Sequence, residues 1–325
     1  AVRVRTSRFA TRSVENRQVA DTQKPVLIYD RVDANRRNTV LLLLVFVALL
    51  ATASIAMGIL LGLPFPFAPV LIIPFLIIAL VSYYSSSRVA LAISQAREAS
   101  KDDEPELFRT VENLCIGAGL PMPKVYVIED GSPNAFATGR DPEHAAIAVT
   151  RGLLKKLDKL ELEGVIAHEL SHVGNYDIRV MTIVVVLVGL SALMADFALR
   201  LTFYGAGRRS SNRGRGGGAV VIIYAIALIA IILTPIAAQL IRFAVSRQRE
   251  FLADASGALL CRNPDALARA LEKISADPDP LEVANKATAH LYINNPLREH
   301  KSLLNGMFAT HPPIEERVRL LRAMA

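Results

Sequence analysis

Between Asn38 and Ser87 the chain carries no Asp, Glu, Lys or Arg. An apolar stretch of this length commits that part of the chain to lipid, where a segment must satisfy its own backbone polar groups and helices are the ordinary solution. The cluster LPFPFAP, Leu63 to Pro69, divides the stretch, because proline and the residue before it interrupt a helix. A hairpin of two spans follows, near 40–62 and 70–84, within a membrane region of 38–87. The turn lacks Lys and Arg while both flanks carry Arg, and Tyr83 and Tyr84 fall where interfacial aromatics sit, so both ends are expected in the cytoplasm. Apolar sequence returns within 180–241, at Val180 to Phe203 and Ala219 to Ile241, each long enough for about 30 Å of hydrocarbon. The expected architecture is therefore mainly α, with about four transmembrane helices. A mean hydropathy of +0.34 over the whole chain agrees with that expectation.

Residues 1–37 are polar and arginine-rich without periodicity and read as a flexible basic arm. Residues 204–218, between the last two apolar segments, are a Gly/Arg-rich linker. If both flanking segments cross, that linker lies on the outer side against the positive-inside tendency, so whether they cross fully stays open. The formal net charge of +7 comes largely from the arginines of the arm and this linker, positions suited to anionic headgroups, and nucleic acid is not an expected partner. Cys115 and Cys261 fit neither a disulfide framework nor a thiolate metal site.

The remaining sequence faces water. Residues 88–179 begin with stretches of apolar spacing three and four, including RVALAISQAREA. They continue with KVYVIED, NAFATG and AAIAV, β-favouring segments parted by turn residues and expected to form a small antiparallel sheet. One helical stretch, RGLLKKLDKLELEGVIAHELSHVGNYD, closes this part. Residues 242–325 are charged and helical, with proline at the start of the last helix.

Within GVIAHELSHVG, His168 and His172 stand four residues apart. On a helix this spacing projects both imidazoles from one face, within reach of one tetrahedral ion. Glu169 lies about 100° round from His168, close enough to hold a water beside that ion without binding the ion itself. A zinc ion lowers the pKa of such a water, and a neighbouring carboxylate takes its proton as a peptide carbonyl is attacked. HExxH at this place therefore points to hydrolysis. Ser171 gains nothing from the arrangement, since both histidines are engaged.

A catalytic zinc needs a third ligand and an open position. Position 178, where HExxHxxGxxH requires histidine, is Ile178. SRQREFLADASGALL offers Glu250 and Asp254 on one helical face: Glu250 as ligand with Asp254 orienting an imidazole, or else both on a solvated, salt-bridged surface. Helices continued from the third and fourth apolar segments lift His172 and Glu250 to similar heights, about 12–14 Å from the hydrocarbon edge. That places a shared site just above the headgroups. NAFATG, with its polar entry, reads as an edge strand able to hold an extended peptide by its backbone.

HELSH, with SRQREFLAD downstream, NAFATG upstream and THPPIEER near the C-terminus, resembles the HtpX-like membrane zinc metalloproteases, relatives of the CAAX prenyl-protein endopeptidases. The resemblance runs from about Tyr29 onward. It implies a cytoplasmic α+β zincin-like domain holding one Zn2+ per chain through His168, His172 and Glu250, with Glu169 as general base and Asp254 behind the ligands. It further implies substrate contacts at Asn134, Ala135 and Phe136, and an oxyanion role for His311. It implies a multi-pass enzyme of the bacterial inner membrane, its active site in the cytoplasm, cleaving misfolded or damaged membrane proteins. A prenyl-protein endopeptidase or a non-catalytic scaffold with a structural metal are the competing readings. A site-2-type intramembrane protease fits less well, because Lys155, Lys156, Lys159, Glu161 and Glu163 crowd the turns before HExxH.

Overall fold

The computed structural model describes residues 72–183, 247–282, 291–294 and 312–325, with isolated helical positions between 37 and 51. Nearly all of the basic arm, most of the first and third apolar segments, the fourth and the Gly/Arg-rich linker lie outside the described residues. Helix α1 (Ile72–Ile93) carries exposed Ile73, Ile77, Leu80, Val81 and Tyr84. Among the described residues no single helix is long and apolar enough to cross a membrane, but Leu76–Ser85 and Ser87–Ile93, bent by 72°, pass together by length and composition. The helix continues past Arg88, where charge returns, and stops at Ile93; Gln95 then takes a left-handed φ of 50° and Arg97–Glu98 form strand β1. RVALAISQAREA is thus helix, turn and strand rather than one amphipathic helix.

After α2 (Pro105–Ala118) come strands β2 (Lys124–Ile128), β3 (Ala135–Thr138) and β4 (Ala146–Thr150). The sheet order is β1-β2-β4-β3. The antiparallel expectation needs correction: β2 and β4 run parallel, with Val125 opposite Ile147 and Val127 opposite Val149, while β1 and β3 pair antiparallel with their neighbours. The reason lies in β4, AIAVT, every residue of which is buried. A strand apolar on both faces suits a central position, and β3, AFAT, equally buried, takes the outer side where the Ile293 N–H meets its free edge at Ala135.

The sheet separates two apolar layers. Val125, Val127, Ala135, Ala137, Ile147 and Val149 face the helices. Ile128, Phe136, Ala146 and Ala148 face the end of α1, Met181, Leu281 and Tyr292. The long helix expected at 151–177 is two: α3 (Arg151–Lys156) and α4 (Lys159–Gly174), parted at Asp158. Asp158 accepts from the Glu161 N–H and the Glu161 side chain accepts from the Asp158 N–H, a capping box that starts α4 afresh. Helices α5 (Arg247–Cys261), α6 (Pro264–Ala276) and α7 (Ile314–Arg322) complete the described fold.

Two glycines let α4 sink into its neighbours. A methyl group on Gly257 would stand 2.9 Å from the His168 backbone, and one on Gly164 would stand 3.0 Å from that of Leu267. Only glycine permits such an approach, and it sets α5 directly against the turn that carries His168.

Candidate active site

Helix α4 presents His168 and His172 from one face, their rings 4.8 Å apart and perpendicular. Helix α5 brings Glu250 to them: Oε2 is 3.8 Å from His168 Nε2 and Oε1 is 3.6 Å from His172 Nε2. One ligand atom from each of the three lies within 4.8 Å of the others, and all three residues are buried, so this cluster could hold a metal ion. Of the two readings open for ExxxD, the solvated surface is the one overturned: Glu250 and Asp254 are 1% and 4% exposed.

The ring nitrogens facing away from the cluster meet carboxylates. Asp254 Oδ1 sits 3.0 Å from His168 Nδ1, off the axis of a good hydrogen bond. Asp177 Oδ2 lies 3.1 Å from His172 Nδ1. Carboxylates so placed favour the proton on each Nδ1 and leave the Nε2 lone pairs directed to the cluster. The sequence reading missed Asp177. On a continued helix it lies five positions beyond His172 and points elsewhere. Here Tyr176 adopts a left-handed φ of 59°, ending α4 and turning the chain so that Asp177 comes back under the imidazole.

Arg317 of α7 was also missed, and it is entirely buried. Its Nε and Nη2 donate to the two oxygens of Asp254, each at 2.7 Å, and Nη1 donates to the Ile293 carbonyl at 3.3 Å. Nη1 is also 3.6 Å from Glu250 Oε2. The sequence held a signal for it: Ile314, Arg317, Val318 and Leu321 follow the spacing of a buried stripe, with arginine at an apolar position. A charge there requires a buried partner.

Burial dominates the electrostatics. It pushes the Glu169 carboxyl up to about 7, with Glu250 adding to the rise and His172, the Ala137 N–H and Arg317 opposing it. Burial also lowers His168, only partly offset by Asp254. Burial works against the His172 cation too, but Asp177 and then Glu250 outweigh it and raise the group to about 9. Burial likewise disfavours ionised Asp254, yet Arg317 prevails and holds it at about 2.

Asn134, Ala135 and Phe136 lie at the start of β3, the edge strand nearest α4. Asn134 Nδ2 donates to the Asn294 carbonyl, its Oδ1 accepts from the Ala135 and Asn294 N–H groups, and the Ala135 carbonyl accepts from Ile293 N–H. Phe136 points to the far side of the sheet, its ring edge-on to Tyr292 at 5.0 Å. Its side chain is therefore away from the cluster. His311 lies outside the described residues.

Residues 101–325 match peptidase family M48. The chain belongs to that family. A Tropheryma whipplei protein named Protease HtpX homolog is 46% identical over 298 residues, 92% of this chain and 99% of its own length. M48 relatives of the same name come from Dictyoglomus thermophilum, 44% identical over 304 residues (93% and 96% of the two chains), and Listeria monocytogenes, 46% over 307 residues (92% and 100%). Among solved structures, the crystal structure of S. mikatae Ste24p aligns over 89% of this chain and 66% of that chain, at 19% identity and a TM-score of 0.48. The M48 assignment makes this protein a metalloprotease, and the uncharged stretch before the matched region makes it a membrane one.

Proposed function

We propose that this M48 member is a zinc endopeptidase that cleaves unfolded segments of membrane proteins at the cytoplasmic face of a bacterial inner membrane. The observation that carries the reading is the buried cluster of His168, His172 and Glu250, whose ligand atoms lie within 4.8 Å of one another beside the buried carboxyl of Glu169. Two imidazoles and one carboxylate are a zinc donor set. Ligand edges in a tetrahedral zinc site are roughly 3.3 Å for bonds near 2 Å. The 3.6 and 3.8 Å separations run to different oxygens of Glu250, and with one ligand atom per residue the three lie within 4.8 Å of one another, so they would draw together by up to about 1.5 Å around an ion.

In this reading His168, His172 and Glu250 hold the ion, and Asp254 and Asp177 keep the imidazoles oriented. The bound metal supplies Lewis acidity toward a peptide carbonyl and a lowered pKa for attacking water. Glu169 takes the proton from that water and passes it to the leaving amine. Its raised pKa suits both transfers, and a dication nearby lowers it toward the ionised form needed first. His311 is proposed to stabilise the developing oxyanion, following the family resemblance. The edge of β3 is proposed to bind peptide backbone at Asn134 and Ala135, with Phe136 anchoring the strand from behind. Recognition through main-chain groups asks for an extended chain, not a sequence, which suits damaged or misfolded proteins.

The membrane setting rests on the uncharged stretch and on the exposed apolar face of α1. At its polar end the Arg140 guanidinium lies 5.0 Å over the Tyr84 ring, an arrangement suited to the headgroup boundary.

Replacing Glu169 by glutamine keeps the three ligands and removes the base. Casein cleavage by the detergent-solubilised, zinc-loaded protein should fall by roughly 10²–10⁴-fold while one zinc per chain remains bound. Undiminished cleavage with zinc retained would show that Glu169 is not the base.

A further inference from the structure

The edge of β3 that faces away from β4 is already engaged at Ala135, the part beside residues 291–294. Thr150 N–H donates to the Asn134 carbonyl across the β3–β4 pair, so the main-chain groups of Ala135 and Ala137 point the other way. On that outward side, Ala135 N–H meets the Asn134 side chain and the Ala135 carbonyl accepts from Ile293 N–H at 3.0 Å. Ala137 N–H faces the Glu169 carboxyl and favours its ionised form. Farther along, the Thr182 hydroxyl bonds both the N–H and the carbonyl of Gly139.

Residues 291–294 account for the part beside the cluster. Ile293 adds a backbone hydrogen bond to the edge, and Asn294 is gripped by the Asn134 amide through both its N–H and its carbonyl. Tyr292 packs edge-on against Phe136 and donates from its hydroxyl to Ser94. The Ile293 carbonyl is held by Arg317, the same guanidinium that grips Asp254 behind His168. Backbone donors and acceptors on an open strand edge are what an extended peptide would use. Here a segment of the chain itself uses them.

We infer that residues 291–294 form an intramolecular strap seated on the peptide-binding edge of β3, so that a polypeptide substrate binds by displacing Ile293 and Asn294. The strap rests on the protease reading above. It makes the resting enzyme self-protected: only a chain long and unfolded enough to offer more edge contacts than the strap's own displaces it. Folded proteins and very short peptides are poor competitors.

The test uses the full-length, zinc-loaded protein in detergent, with a quenched fluorogenic casein-derived peptide as probe. Ile293→Pro removes the N–H that pairs with Ala135, and Tyr292→Phe removes the bond to Ser94. With zinc content and melting temperature unchanged, each should raise kcat/KM by two- to tenfold, as expected for the loss of about one hydrogen bond from the strapped state. Unchanged or lower kcat/KM in both variants overturns the strap. Hydrogen exchange on the Glu169→Gln chain gives a second measurement that does not depend on those variants folding. Saturating unlabelled peptide should speed exchange at the Ile293 and Asn294 amides, and retained protection with peptide bound overturns the inference. The protease reading fails separately, if the wild type does not cleave the peptide at all.

Discussion

His168 and His172 project from one helix face, yet they are supported in different ways. His172 leans on Asp177, five residues on in the same chain segment, brought back by the turn at Tyr176. His168 leans on Asp254 of α5, which is fixed in turn by Arg317 of α7. One half of the cluster is held chiefly by a local turn, with Asp177 also 3.8 Å from Arg249 of α5, and the other wholly by elements far apart in sequence. The local half needs mainly α4 and the turn after it, with Arg249 adding to it on docking, whereas the distal half exists only once the C-terminal helices have docked. Glu250, on α5, belongs to the distal half.

The largest break in this comparison should come from Arg317→Met. The arginine is fully buried, and its loss leaves Asp254 charged and uncompensated, a change of about 3–5 kcal/mol in stability. A fall in melting temperature accompanied by loss of zinc checks it; a variant as stable as wild type would mean that the Asp254 pair is not a support. Gly257→Ala should come next. Its methyl group would meet the His168 backbone at 2.9 Å, forcing α4 and α5 apart. An overpacking cost of about 1–3 kcal/mol is expected, with weakened zinc binding followed by competition against a chelator.

Single carboxylate-to-amide changes sharpen the contrast. Asp177→Asn should weaken zinc binding by roughly 10–100-fold and cost less stability than Asp254→Asn, because beyond His172 it weakens only a 3.8 Å contact to Arg249 of α5 and not a bidentate pair at 2.7 Å. Asp254→Asn should weaken zinc binding similarly and also lower the melting temperature, because Arg317 then lacks its buried partner. Equal melting temperatures for the two would erase the distinction between local and distal support.

The smallest effect is one of pH. In the zinc-free protein His172 is raised from 6.5 to about 9, so its contribution to stability is complete below pH 6.5 and is lost as pH rises through 9. Zinc requires that imidazole neutral, so apparent zinc affinity should rise over the same window while zinc-free stability declines. Thermal melts and metal competition across pH 6–9 check both slopes. Asp177→Asn should flatten them, because it removes the chief contact favouring the cation.

Much of the site was legible in the sequence where the geometry is local. HExxH fixes two imidazoles on one face because a helix repeats every 3.6 residues, whatever surrounds it. ExxxD offered a carboxylate pair of the right spacing, but the sequence could not exclude a surface position. The break between α3 and α4 was also written there, as Asp158 followed three residues later by Glu161, and the longer apolar periodicity concealed it. Arg317 was visible as a charge on an apolar stripe, without any indication of its partner. Asp177 was not legible, because a single left-handed residue decides where it points.

By itself, then, the sequence determined a membrane-associated uncharged stretch, a helix carrying two imidazoles with a carboxylate beside them, and the segments able to form strands. These follow from hydropathy and short-range periodicity, which need no knowledge of the rest of the fold. Tertiary structure alone decided that β4 runs parallel to β2 in the middle of the sheet, that Glu250 meets the histidines, and that Arg317 closes the network behind them. Those outcomes depend on which surfaces are buried together: two glycines admit a close helix crossing, and a buried charge must find its opposite across the chain.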